Sequence, residues 1–304
     1  MRWQAHWLLS RCYHVQGKAA QELRVLQELT KLSDELDLPD LRARSRVRLA
    51  RGQRVSGELA PARATASEAL ALAEEYGLPR HDIVEALMTL IAIDAESGQL
   101  AEARARAYRL LDTLCPEIPA RLLVKALWTA ATVRVRQGDR TAAVELLQRA
   151  LGQLPSNEDP MLWMRLRLAA ASLYLQMDPR DTAQARLRLE EAMPAAELIG
   201  MPLHQQEVLI LQCQLAFQEG RFDDARAFSD RLLDRTEEVG LREQVRIDIL
   251  RNQLAIIDGD RTTAVLNMER IAKQAQESSN VELSAEVWRA LAEALTTAGG
   301  VGAA

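Results

Sequence analysis

The stretch Gly138-Asp139-Arg140-Thr141-Ala142-Ala143-Val144-Glu145-Leu146-Leu147-Gln148-Arg149-Ala150 decides the fold. After the glycine turn, Ala143, Leu146, Leu147 and Ala150 stand three and four residues apart, the spacing of one buried helical face. The same turn returns along the chain. Gly17, Gly57, Gly98, Gly138, Gly220 and Gly259 are separated by 40, 41, 40, 82 and 39 residues. The double step hides a turn written Met177-Asp178-Pro179-Arg180-Asp181. A second series, Pro39, Pro79, Pro119, Pro160 and Pro202, runs half a period out of phase at steps of 40, 40, 41 and 42. Between neighbouring marks lie roughly 16–20 residues with no strand-like alternation. Each period therefore holds two helices. Glycine ends the first, and Pro or Gly-x-Pro separates one pair from the next.

Aligning the repeats on the glycines, with Arg180 as the fifth mark, exposes their packing. Five residues on stand Ala62, Ala103, Ala143, Ala185, Ala225 and Ala264, with Glu22 the exception. A small side chain there lets the two helices of a pair approach closely. Nine residues on stand Leu26, Ala66, Ala107, Leu147, Leu189, Ser229 and Met268; twelve on stand Leu29, Ala69, Leu110, Ala150, Ala192, Leu232 and Ile271. These columns share one helical face. The expected fold is all-α: a right-handed α-solenoid of seven helix-turn-helix repeats forming a single domain over 1–304. The repeats lie near 1–39, 40–78, 79–118, 119–159, 160–201, 202–240 and 241–280, with a capping helix over 281–298. Its stripe of Glu282, Glu286, Arg289 and Glu293 is expected to close the end in solvent, before the Gly299–Ala304 tail frays. Pro194, inside the second helix of the fifth repeat, is expected to kink or break it near Met193.

Composition narrows the functions. The chain has 304 residues, 48% hydrophobic, 27% charged and 4% aromatic, with net charge −5. That acidity argues against direct binding of nucleic acid. No apolar stretch approaches the ~18 residues of a membrane span, and the opening Met1-Arg2-Trp3-Gln4-Ala5-His6 lacks the apolar region of a signal peptide. Cys12, Cys115 and Cys213 are odd in number and about 100 residues apart, so neither a disulfide framework nor a zinc site is expected, and the cytoplasm is the expected compartment. His6, His14, His81 and His204 form no metal motif, and no glycine-rich phosphate loop occurs. The expectation is a non-enzyme without cofactor. Trp3, Trp7 and Leu8 open the first helix with no polar cap. Either that end packs on something, such as another domain or a second copy, or the chain is one piece of a longer protein.

The Gly138–Ala150 stretch, with Pro155 closing it, resembles the second half of a tetratricopeptide repeat, and Gly220-Arg221-Phe222-Asp223-Asp224-Ala225 is a similar turn. The period is about 40 rather than the family's 34, and the first helices lack its Trp-Leu-Gly-Tyr spacing. The linkers Tyr76-Gly77-Leu78-Pro79, Ile199-Gly200-Met201-Pro202 and Val239-Gly240-Leu241-Arg242 resemble the longer repeats of bacterial sensor proteins, the MalT-type activators and the Rap/Rgg-type peptide-responsive regulators. The resemblance implies a concave groove lined by the first helices.

The stripe 13, 9, 6 and 2 residues before each mark varies in polarity, which is expected of a solvent-facing surface. It carries Arg11, Arg44, Arg48, Arg51, Lys125, Arg136, Arg167 and Arg246 against Glu85, Glu96, Asp178 and Glu207, opposite in sign to the whole chain. With Tyr174, Gln214 and Gln253 from the same stripe and Trp128 beside it, these twelve basic, aromatic and amide residues are the candidate ligand-binding positions. The expected function is a protein- or peptide-binding scaffold that grips an acidic segment, as the sensor or interaction region of a bacterial transcriptional regulator. The alternatives are a MalT-like small-molecule sensor with a pocket near Trp128 and Tyr174, and a free-standing adaptor. Reversing Arg44, Arg48 and Arg51 to Glu is expected to weaken ligand capture without changing stability.

Overall fold

A computed structural model describes residues 2–233 and 241–301. Its contacts divide the chain into two compact units, Met1–Gln153 and Leu154–Ala304. In the first, α1 (Arg2–Val15) pairs with α2 (Ala19–Leu36), α3 (Pro39–Val55) with α4 (Leu59–Glu75), α5 (Arg80–Glu96) with α6 (Leu100–Thr113), and α7 (Ala120–Arg136) with α8 (Arg140–Gly152). In the second, α9 (Pro160–Gln176) pairs with α10 (Thr182–Ile199), α11 (Pro202–Gln218) with α12 (Phe222–Leu233), and α13 (Leu241–Ile257) with α14 (Arg261–Glu277); α15 (Val281–Val301) packs on α13 and α14. Val239 and Gly240 of the quoted linker, and Gly302 to Ala304 of the expected tail, lie outside the described residues. α15 itself runs three residues past the expected end at 298.

The glycines do what their spacing implies. Gly17, Gly57, Gly98, Gly138, Gly220 and Gly259 all have φ between 70° and 100°, a region costly for any residue with a Cβ. At Gly98, the following Gln99 amide donates to Asp94 O at 2.8 Å, closing the carbonyls left open at the end of α5. The same bond recurs as Lys18 to Tyr13 O, Glu58 to Gln53 O, Asp139 to Arg134 O, Arg221 to Ala216 O and Asp260 to Ala255 O. Six helix ends thus share one chemistry. The helix starts use proline instead: Pro39, Pro160 and Pro202 occupy the first turn, where the missing N–H costs nothing.

The three alignment columns form the interior of the pairs. The alanines at plus five are at most 1% exposed, and the residues at plus nine and plus twelve are all buried. Glu22, the exception, sits half-buried at the edge of the first pair, 3.1 Å from His14. Neighbouring pairs meet through both kinds of helix: within the first unit α2 packs on α3 and α4 on α5, while α3, α5 and α7 lie side by side.

The expected break near Met193 does not occur: α10 runs from Thr182 to Ile199, through Pro194. Pro194 and Glu190, whose carbonyl loses its donor, are both exposed, so water satisfies the orphaned group. The stripe on α15 does not cap the end in solvent either. Glu282 meets Arg242 at 3.2 Å, Glu286 meets Arg246 at 3.0 Å, and Glu293 pairs with Arg180. Only Arg289 of that stripe is exposed. Glu282 and Glu286 face inward because α13, the preceding first helix, supplies arginines one repeat earlier.

Candidate functional site

α3 reads Pro-Asp-Leu-Arg-Ala-Arg-Ser-Arg-Val-Arg-Leu-Ala-Arg-Gly-Gln-Arg-Val, with six arginines against one aspartate. So many like charges on one helix oppose it unless neighbours supply carboxylates. They do. Arg42 reaches Asp34 at 3.2 Å and Asp37 at 3.1 Å; Arg46 reaches Asp34 at 2.8 Å and Glu68 at 3.1 Å. Arg44 grips Asp82 with two nitrogens, at 2.9 and 3.3 Å, and that bond raises its guanidinium pKa. Arg51 meets Glu85 at 3.4 Å and donates to Thr89, while Arg54 meets Glu96 at 2.5 Å.

Arg48 differs. Among the described residues it is the α3 arginine without a carboxylate at ion-pair distance. Its guanidinium lies instead over the Trp7 ring, 4.5 Å from the centroid. Trp7 stacks on Trp3 at 5.0 Å, and Trp3 Nε1 donates to Ser45 Oγ at 3.0 Å, so α1 fixes the aromatic platform against α3. Burial pushes the Arg48 guanidinium down; Glu22 partly opposes this, while the like charges of Arg51 and Arg11 add to it. Arg11 is exposed on α1. Three arginines, Arg11, Arg48 and Arg51, thus stand against two nearby carboxylates, Glu22 and Glu85, and Arg48 lies on a stacked tryptophan pair. This arrangement suits an anion presented beside a flat or apolar group. The first unit as a whole carries 22 Lys and Arg against 19 Asp and Glu; the second carries 16 against 24. The excess of positive charge therefore belongs to the first unit.

The other candidates divide. Lys125 is exposed, and Trp128 and Arg136 are half-buried, all on α7. In the second unit the reading of an open stripe is overturned. Tyr174 is 1% exposed and Gln253 4%, with Gln253 donating to Ala290 O at 3.0 Å. Arg167 is buried against Trp163 and meets Glu191 at 3.0 Å, and Arg246 is held by Glu286. Gln214 is half-buried, and its stripe neighbour Leu211 is buried. Polarity varies along this face because its polar members are individually paired, so variation was a poor sign of exposure. Tyr174, the second aromatic of the expected small-molecule pocket, is enclosed in the core of its own unit. A cavity of about 620 Å³ lies elsewhere, at the linkers, lined by residues including Pro79, His81, Cys115 and Ile118. The sequence reading missed Trp7 as the partner of Arg48. Trp7 stands one residue before the stripe of its repeat, a signal visible only once the repeats are superposed.

The stacked helix pairs, the glycine-closed turns and the small-residue column define a tetratricopeptide-type repeat protein. The chain belongs to the MalT-like TPR region family, which it matches over residues 1–281. No curated protein matches it. Its fold resembles a Rap protein crystallised in complex with competence and sporulation factor, at 12% identity and TM-score 0.64, covering 98% of this chain and 76% of that one. It also resembles the apo form of RapI, at 11% identity and TM-score 0.59, covering 97% and 98% of the two chains. A tetratricopeptide repeat protein from Parabacteroides merdae ATCC 43184 is similar at 14% identity and TM-score 0.53, covering 95% and 98%. At such identities the likeness is one of fold. Among the described residues no helix is long and apolar enough to cross a membrane.

Proposed function

We propose that this chain is a non-catalytic recognition domain, the sensor or interaction region of a bacterial cytoplasmic regulator, working as one repeat domain. Its ligand is an acidic peptide segment, held on the first helices of the N-terminal unit by Arg48 and Arg11 against Trp7. Lys125, Trp128 and Arg136 of α7 extend that surface. The observation that carries this reading is the contrast within α3: five arginines are tied to carboxylates, and Arg48 is stacked, charged and left to bind. Membership of a MalT-like family supports the sensor role. The complex formed by the similar Rap protein with its competence and sporulation factor supports capture of a regulatory partner.

Fluorescence polarisation with a fluorescein-labelled hexaglutamate peptide bearing a free C-terminus tests the reading. Saturable binding that weakens about tenfold between low and high salt is expected, because the contacts are charged and partly exposed. A probe that fails to bind at low salt, or binds independently of salt, would remove acidic recognition from the account.

A further inference from the structure

α1 has a second surface, distinct from the one bearing Arg11, that the register of the repeat identifies. Twelve, eight and five residues before their glycines, the later first helices of this unit carry Ser45, Leu49 and Gly52, then Ala86, Leu90 and Ile93, then Ala126, Ala130 and Val133. Apart from the half-buried Gly52, all of these are buried. The second helix of the preceding pair packs here: a Cβ on Gly52 would meet Leu26 Cδ1 of α2 at 3.0 Å and Leu23 Cδ1 at 3.5 Å. On α1 the same three positions are Ala5, Leu9 and Cys12, and all are exposed, Leu9 by 42%. Leu8 beside them is 58% exposed.

Charge follows the same register. Arg42 and Arg46, fifteen and eleven residues before Gly57, share Asp34 of the preceding α2. Arg2 and His6 stand fifteen and eleven residues before Gly17, whereas α5 and α7 carry Ile83, Leu87, Leu123 and Leu127 there. The correspondence extends to the helix's own partner. Arg46 also meets Glu68, eleven residues past Gly57, and Glu28 stands eleven past Gly17. Lys31 first, then His6 and Arg2, hold the Glu28 carboxyl below its ordinary range. α1 therefore repeats the basic pair of α3, its intrapair acid and its small or apolar seat, while the seat stays open to solvent.

We propose that this face of α1 seats an acidic amphipathic helix of a partner protein, in the way α2 seats on α3. A carboxylate of the partner lies between Arg2 and His6, and its leucines lie on Leu9 and Cys12. α2, the template, has Glu22, Glu28, Asp34 and Glu35 against Arg24 and Lys31, whereas α1 has Arg2 and Arg11 and no carboxylate. Pairing of two α1 helices would bring like charges together, so the complementary occupant is an acidic helix and not a second α1.

Cys12 provides the readout. It is exposed, whereas burial pushes the Cys213 thiol up to about 12, leaving it little thiolate. In a Cys115→Ser background, alkylation therefore reports on Cys12. A hydrocarbon-stapled helical peptide with the sequence of residues 19–36 is expected to slow alkylation about tenfold at saturation. The same peptide carrying Asp34→Lys is expected to protect poorly. Arg2→Glu with His6→Glu in the protein should reverse that preference while leaving Arg42 and Arg46 of α3 untouched. No protection, equal protection by both peptides, or protection unmoved by the charge exchange would overturn the proposal. So would self-association of the chain that buries Cys12 without peptide.

Discussion

Ala103→Phe is expected to destabilise the N-terminal unit by about 3 kcal/mol, lowering its melting temperature by roughly 6–12 °C. Ala103 is fully buried in the column where α5 and α6 approach, with Leu87, Leu90, Ala107 and Leu110 around it in one core cluster. A phenyl ring there has no rotamer that avoids the facing helix, so the pair must separate or the ring must leave the core. Because each pair is supported by its neighbours, loss of the third pair also undermines the second and fourth. Ala105→Phe, exposed two residues along the same helix, is expected to change stability by no more than about 0.5 kcal/mol. Thermal unfolding followed by circular dichroism distinguishes them. Equal melting of the two variants would mean that the plus-five column does not set the helix spacing.

Arg48→Glu and Arg44→Glu are expected to have opposite effects, although the residues lie one turn apart on α3. Arg48 contributes to folding mainly through its stack on Trp7, worth about 0.5–1 kcal/mol at a partly exposed site. Reversing it exchanges repulsion from Arg11 and Arg51 for repulsion from Glu22 and Glu85, so the melting temperature should hardly move. Binding of the hexaglutamate probe should fall by more than about tenfold. Arg44→Glu instead sets a carboxylate against Asp82, which is 6% exposed and loses its bidentate partner. That change should cost roughly 1–3 kcal/mol, less than for a fully buried pair because the Arg44 side chain is 39% exposed, and leave the probe affinity of the folded protein nearly intact. The structure therefore revises the expectation for the triple reversal of Arg44, Arg48 and Arg51. Losing the Asp82 and Glu85 pairs together must lower stability, so a binding defect in that triple variant would not identify the ligand site.

The fold was legible because its determinants are local and repeated. A left-handed turn at Gly98, a proline at position 160 and an alanine at 103 each leave a mark at a fixed interval, and seven repeats fix the pattern. The site was less legible because it depends on which polar groups meet. Arg44 and Asp82 are 38 residues apart, Arg242 and Glu282 are 40, and Arg246 and Glu286 are 40. A search for acids one period beyond each arginine would have shown that Arg44 and Arg246 of the basic stripe are consumed within the fold. Nothing comparable marks Arg167, whose buried charge is met by Glu191 on the second helix of its own pair, or Gln253, which bonds to a backbone carbonyl. Backbone partners leave no trace in side-chain identity. The expected break at Pro194 failed for a related reason: the cost of the proline depends on whether the orphaned carbonyl faces solvent, which only the packed structure reveals.

The five tryptophans provide the most direct measurement of where ligand binds. Each indole N–H gives its own resonance in a two-dimensional 1H–15N spectrum, assignable through single Trp→Phe variants. On titration with the hexaglutamate probe, the Trp7 resonance should shift progressively to saturation and Trp3, stacked on it, should follow. Trp163 and Trp288, in the C-terminal unit, should remain in place. Shifts at Trp163 or Trp288 with none at Trp7 would contradict a recognition face built on Arg48 and the first helices of the N-terminal unit.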